Sequence, residues 1–268
     1  MTIENVAVSY LHPTQARAYY YLHQVPEGSP ARNVRGDRRE ITVHDARSLD
    51  PAPRLDREGV ELVAFDGAPK DERDAAHVEE EFYPRVEAMV AEKTGASRVV
   101  AFDHNLRSSG RDEADGAIVQ SPVRLVHNDY TEHSAPQRVR DLLGDEAEDL
   151  LAHRFAVINV WKPLHGPVHE LPLAVCDAQT IGPNDMIETD LRYPDRTGEI
   201  YSFVYSEAHR WLYFPTMRPD ETMLLKCYDS ARDVSRFTAH TAIDDPDTPP
   251  DAPARQSIEV RTLAFFAG

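Results

Sequence analysis

From residue 154 to the C-terminus, short apolar segments rich in β-branched and aromatic residues follow one another with only turn residues between them. They fall at 155–161, 173–176, 186–191, 200–205, 211–214, 222–228, 237–243 and 257–266. None is long enough to read as an amphipathic helix, and no internal repeat organises them, which leaves a sandwich or barrel. We expect a jelly roll with its helices packed outside. The stretch 244–254, rich in Pro and Asp, reads as a stiff polar crossover before the last strand.

Earlier in the chain the pattern is mixed. Strands are expected at 5–11, 40–44, 60–65 and 99–104, with an exposed loop over 27–39. Residues 71–94 carry the one long helical signal, with Ala76, Phe82, Val86, Met89 and Val90 at helical spacing and Gly95 as a stop. Pro84 lies inside that pattern and should kink or divide the helix near Tyr83. The polar, Gly-containing stretch 106–116 suits either a lid or a plain solvated connection. Residues 134–153 read as two short helical pieces, with Pro136 in a first turn and Gly144 between them.

A length of 268 residues suits one large domain, 1–268, and the net charge of -17 would repel nucleic acid or an anionic membrane. Neither is expected as a partner. Two cysteines, Cys176 and Cys227, are too few for a disulfide framework and read as buried thiols in a reducing compartment. With no signal-peptide pattern and no apolar run of about 18 residues, the expected location is cytoplasmic. The oligomeric state is not legible.

Chemistry enters at Leu125-Val126-His127-Asn128-Asp129-Tyr130-Thr131. On a strand the side-chain period is 2, so His127 and Asp129 share a face, and a second imidazole would complete a 2-His-1-carboxylate triad for non-haem iron. His240, within 237–243, is the candidate for that distal ligand. His209 competes with it, but the distal ligand should precede the strand that bears Arg255 and Ser257. The Arg255-Gln256-Ser257 fork and hydroxyl suit a carboxylate, such as the far end of 2-oxoglutarate. Arg261, on the same strand face, is the second candidate anchor or a salt-bridge partner. Asn159 and Trp161 share a strand face and are candidates for contact with co-substrate and substrate respectively. Tyr130, His209 and Trp211 are further candidates for the substrate pocket, while His104 and His133 read as peripheral.

The order His-x-Asp, distant His, Arg-x-Ser resembles the Fe(II)- and 2-oxoglutarate-dependent oxygenases with a double-stranded β-helix core. Several longer stretches resemble the family of the cephamycin 7α-hydroxylase component and fungal hydroxylase/desaturase enzymes of secondary metabolism. They are His127-Asn128-Asp129-Tyr130-Thr131, Asn159-Val160-Trp161-Lys162-Pro163-Leu164, His209-Arg210-Trp211, Lys226-Cys227-Tyr228-Asp229-Ser230 and Arg255-Gln256-Ser257-Ile258-Glu259-Val260-Arg261. The chain departs from the family pattern at Lys162, where Arg is usual, and at Gln256, where Glu is usual. The resemblance implies a mainly β fold with flanking helices (α+β), in which residues 1–118 support a cupin-like jelly-roll core over 119–268. It also implies Fe(II), with 2-oxoglutarate and O2 as co-substrates, and hydroxylation or desaturation of a small-molecule secondary metabolite. Two alternatives stay open: a cupin-like dioxygenase or isomerase that uses the triad without 2-oxoglutarate, and a non-catalytic β-barrel binding protein.

Overall fold

In the computed structural model, which describes residues 2–14, 16–110 and 119–268, the strand-rich half of the chain winds back and forth between two sheets. The first part of the chain supplies β1 (Thr2–Leu11), β2 (Ala18–Tyr21), β3 (Gly36–Asp45), β4 (Val60–Ala64), β5 (Arg98–Ser108) and β6 (Val119–Gln120). The rest supplies β7 (His127–Asn128), β8 (Phe155–Pro163), β9 (Leu173–Cys176), β10 (Met186–Arg192), β11 (Thr197–Phe203), β12 (Trp211–Tyr213), β13 (Glu221–Asp229), β14 (His240–Ala242) and β15 (Gln256–Phe265). One sheet runs β1-β3-β12-β9-β14-β7-β11-β10-β2 and the other β4-β13-β8-β15-β5-β6. The steps β7 to β8 to β9, and again β12 to β13 to β14 to β15, each cross from one sheet to the other. That alternation is the path of a double-stranded β-helix.

Strands β8 and β13 are buried along their whole length. Both of their faces are covered, so they read as near-continuous apolar runs rather than alternating ones. Inward, Val157, Trp161, Met223 and Leu225 meet the nine-stranded sheet. Outward, Ile158, Val160, Leu224 and Val260 pack against Val78, Phe82, Val86 and Val90 of the helical segment. Each such side chain contributes about 1.5–3 kcal/mol through burial, which fixes the helix to the sheet's outer face.

That helical segment shows how the chain accommodates Pro84. It comprises α1 (Ala75–His77), a π-helical turn over Val78–Phe82 and α2 (Tyr83–Thr94), with Pro84 in the first turn of α2. A proline ring clashes with the carbonyl four residues back and donates no hydrogen bond. The wider π turn absorbs this, with the Tyr83 N–H donating to the Val78 carbonyl five residues back. The helix stops at Gly95, whose φ of 74° closes a left-handed cap through a 2.9 Å bond to the Ala91 carbonyl. Further on, α3 (Ser134–Leu143) and α4 (Ala147–Leu151) flank a short 3-10 turn at Gly144.

Two expectations need correction. Residues 106–108 are strand, because Leu106, Arg107 and Ser108 pair with Ile258, Ser257 and Gln256 of β15. A lid over 106–116 therefore cannot begin at Leu106, and residues 111–116 lie outside the described residues. The loop placed over 27–39 likewise ends early, since β3 begins at Gly36 and pairs with β1. Both cysteines are free and buried. Among the described residues no helix is long and apolar enough to cross a membrane.

Candidate metal centre

His127 and His240 stand directly opposite one another where β7 pairs with β14. Strand β7 ends at Asn128, and the chain bends at Asp129 so that its carboxylate turns back towards both imidazoles. One ligand atom from each of His127, Asp129 and His240 lies within 4.8 Å of the others. The two rings are 4.4 Å apart between centroids, and His127 Nε2 is 3.6 Å from Asp129 Oδ1.

Hydrogen bonds leave the inward-facing atoms of all three free. His127 Nδ1 lies 2.7 Å from the Leu125 carbonyl and His240 Nδ1 lies 3.0 Å from the Thr238 carbonyl. A carbonyl only accepts, so each Nδ1 carries a proton and each Nε2 is the ring nitrogen turned away from that bond. Ligating histidines are typically held this way. Asp129 Oδ2 accepts from Asn159 Nδ2 at 2.8 Å and from Arg261 Nε at 3.0 Å, which leaves Oδ1 turned towards His127. Burial pushes His127 down to about pKa 3, with His240 adding to the effect, so the imidazole is neutral near pH 7. Burial alone would raise the Asp129 carboxyl, but the Arg261 guanidinium and then the two imidazoles hold it far below the usual carboxylate range. A neutral His127 imidazole beside an ionised carboxylate suits a divalent cation.

Three surrounding devices fix this geometry. The buried Asn128 side chain donates to the Tyr130 and Cys227 carbonyls at 2.7 and 2.8 Å and accepts from the Thr238 N–H at 3.2 Å. It thereby ties the turn after His127 to the segment leading into His240. Glu132 and Arg236 form a two-pronged ion pair between the same two segments. Gly59, at φ 81°, lets Thr238 approach so closely that an added Cβ would lie 2.1 Å from its Oγ1. Sequence reading missed these roles. Asn128 lay inside the motif but on what strand alternation made the opposite face, and nothing local marks Gly59 or the Glu132–Arg236 pair.

Arg255 is only 3% exposed, yet among the described residues no carboxylate lies within ion-pair distance of it. One guanidinium nitrogen donates to the Leu171 carbonyl, its Nε has no partner, and the group rests on the Trp161 ring at 5.4 Å. Burial, reinforced by Arg107, lowers its pKa to about 10. Ser257 begins the inner face of β15 beside Arg107. Arg261 is different. Besides Asp129 it binds Asp103 at 2.8 Å and lies 3.4 Å from Glu259, so its guanidinium is already matched by carboxylates. Of the two roles offered for it, these contacts are those of a salt-bridge partner of Asp129. Asn159 also serves Asp129 first, and its buried Oδ1 has no donor.

Tyr130 is buried and lines a cavity of about 400 Å³ that opens beside Asp129, bounded by Arg138 of α3, Glu199 of β11 and Arg261. A second cavity of about 430 Å³, lined by Arg57, Gln179 and Phe237 among others, includes none of the three clustered residues. His209 and Trp211 do not join the cluster. The Trp211 indole donates to the Tyr10 hydroxyl at 2.9 Å, that hydroxyl meets His209 Nδ1 at 3.0 Å, and His209 Nε2 meets Asp185 at 3.2 Å. This chain of contacts engages both His209 nitrogens and the Trp211 indole N–H, apart from the three clustered residues. His104 bonds to Tyr83 at 2.9 Å. His133 sits exposed near Glu188 and Glu199, but Arg17 already pairs with both carboxylates.

The family model described as "Oxidoreductase/YMDC permease-like domain" matches residues 8–265. The chain is 35% identical over 259 residues to the Fe(II)/2-oxoglutarate-dependent dioxygenase nvfI of Aspergillus novofumigatus, covering 94% of this chain and 92% of that protein. It is 32% identical over 250 residues to the hydroxylase/desaturase efuI of Hormonema carpetanum, covering 84% and 83%. The solved structure of the iron and alpha-ketoglutarate-dependent endoperoxidase NvfI superposes with a TM-score of 0.90 at 31% identity, covering 100% of this chain and 99% of that one.

Proposed function

Because the chain belongs to the Fe(II)- and 2-oxoglutarate-dependent oxygenases, we propose that His127 Nε2, Asp129 Oδ1 and His240 Nε2 hold the iron and that Arg255 holds the far carboxylate of 2-oxoglutarate. Iron and 2-oxoglutarate together supply the means of using O2 to oxidise an unactivated C–H bond. The observation that carries the reading is Arg255, a nearly fully buried cation that has no carboxylate partner and an orphaned Nε among the described residues, which fits an anionic ligand and fits little else. A cupin-like enzyme that used the triad alone would have no need of it, and a plain binding barrel would have no need of the three inward-facing ligand atoms.

The remaining residues position and exclude. Arg261 and Asn159 hold Asp129 by one oxygen, the Leu125 and Thr238 carbonyls hold the two imidazoles, and Trp161 forms the platform under Arg255. Ser257 is assigned beside Arg255 on the co-substrate. The substrate is a small-molecule secondary metabolite, hydroxylated or desaturated, which reaches the centre through the cavity lined by Tyr130 and Arg138. Residues 1–268 act as one domain, since strands from the first 118 residues extend both sheets of the core. The acidic charge and the two buried thiols support a cytoplasmic enzyme without a nucleic-acid or membrane partner. Iron content tests the ligand set. After anaerobic loading and desalting, the native chain should carry one Fe(II), His127→Ala, Asp129→Ala and His240→Ala none, and His209→Ala one. Loss of iron in His209→Ala with retention in His240→Ala would overturn it.

A further inference from the structure

We propose that Arg107 is a second cationic contact for the far carboxylate of the co-substrate, sharing it with Arg255 from the neighbouring strand. This rests on the reading of Arg255 given above. Arg107 lies on β5 directly opposite Ser257 of β15, and in an antiparallel pair residues so placed project from the same face with their Cβ atoms about 5 Å apart. Ser257 is two residues from Arg255, so Arg107 stands beside the segment that delivers the anchor. It is half-buried, and its Nη1 donates to the Ser121 carbonyl at 3.0 Å.

Among the described residues no carboxylate lies within ion-pair distance of Arg107, as none does of Arg255. The two guanidinium groups are close enough that Arg107 depresses the pKa of Arg255. It therefore lies within electrostatic reach of the anchor. Two like charges converging on a largely buried site repel unless an anion sits between them. Among the described residues, the two acids that act on Arg255 do not fill that role: Glu259 lies against Arg261 and Glu170 accepts from Ser109. A carboxylate gripped from two sides would select a dicarboxylic keto acid over a monocarboxylic one, because only the former places a negative charge at the far end.

A ligand-truncation cycle tests this. Anaerobic Fe(II) protein is titrated with 2-oxoglutarate, and in parallel with 2-oxopentanoate, which keeps the chelating keto acid and lacks the far carboxylate. The visible band of the iron chelate reports binding. Arg107→Ala should raise the apparent Kd for 2-oxoglutarate by about tenfold and leave that for 2-oxopentanoate within about twofold. Arg107→Lys should recover most of the loss, since a point charge keeps the attraction without the fork. Equal losses for both ligands would place Arg107 at the chelating end or on His127 and overturn the proposal. An unchanged Kd for 2-oxoglutarate in Arg107→Ala, with a large rise in Arg255→Ala, would also overturn it and leave the reading of Arg255 standing. Unchanged values in both variants would sink that reading as well.

Discussion

Replacing Arg255 by Met should leave the metal-free protein about as stable as before, although it deletes a buried, hydrogen-bonded guanidinium. The magnitude follows from its surroundings. A pKa lowered from 12.5 to about 10 by burial and then by Arg107 corresponds to ~3 kcal/mol against the charged form. The sign is that of a base whose folded pKa is depressed: the penalty is complete at neutral pH and would fade only as pH rises from about 10 towards 12.5. Met removes that penalty. It also removes one charge-assisted bond to the Leu171 carbonyl, worth about 1.5–3 kcal/mol, and the contact with Trp161, worth about 0.5–1 kcal/mol. These offset to within about 1 kcal/mol, or roughly 2–4 °C in Tm for a domain of this size. By contrast, breaking a true buried ion pair costs about 3–5 kcal/mol. Added to the Fe(II)-loaded protein at about 100 times Kd, 2-oxoglutarate should contribute a further ~2.7 kcal/mol to the native chain, and only ~0.4 kcal/mol to a variant that binds it about 100-fold more weakly. Differential scanning calorimetry of both chains, with chelator, then anaerobically with Fe(II) alone and with Fe(II) plus 2-oxoglutarate, reads the two effects separately. A variant that loses several kcal/mol when metal-free yet keeps the full ligand-induced shift would refute the reasoning.

Arg261→Met should weaken Fe(II) affinity by about 10- to 100-fold in a chelator competition, because Asp129 Oδ2 loses one of its two orienting donors; unchanged affinity would deny Arg261 that role. Trp211→Phe should lower Tm, since Tyr10 loses the indole donor, while binding of Fe(II) and 2-oxoglutarate stays as it was; a binding defect at unchanged Tm would restore Trp211 to the site. Hydrogen bonds from Arg236 and Arg47 hold the Glu132 and Glu221 carboxyls below their ordinary range, so that contribution is complete above about pH 4.3 and is lost as pH falls through the lower folded values. Urea midpoints at pH 7, 5 and 3.5 should therefore change little in the first step and fall in the second, and Arg236→Met should flatten the fall.

Most strands were legible because their apolar runs were set off by clear turn residues: 173–176 is β9 to the residue, and 155–161 needed only two more positions to become β8. The very short strands β2 and β6 were not, because pairing to neighbours, not local pattern, makes them strands, while the strand assumed for the His-x-Asp motif is only the two residues of β7. The π turn before Pro84 illustrates a middle case. The proline announced a break, but its form depends on a helix held in place by the sheet beneath it. That His127, Asp129 and His240 would come together was readable from spacing and strand order. The contacts of Arg261 were not legible because its carboxylate partners, Asp103 and Asp129, come from distant segments, nor were those of His209, because nothing in His-Arg-Trp reveals that Tyr10 and Asp185 close around it. Arg107 lay in a stretch that composition marked as loop and that pairing with β15 makes a strand.

The most direct test is to titrate 2-oxoglutarate into the anaerobic Fe(II) form of the native chain and of His240→Ala while recording the visible spectrum. The account predicts a weak, broad chelate band that saturates at one 2-oxoglutarate per chain in the native protein and is absent from His240→Ala. No band in the native protein at saturating iron and 2-oxoglutarate, or an undiminished band in His240→Ala, would contradict it.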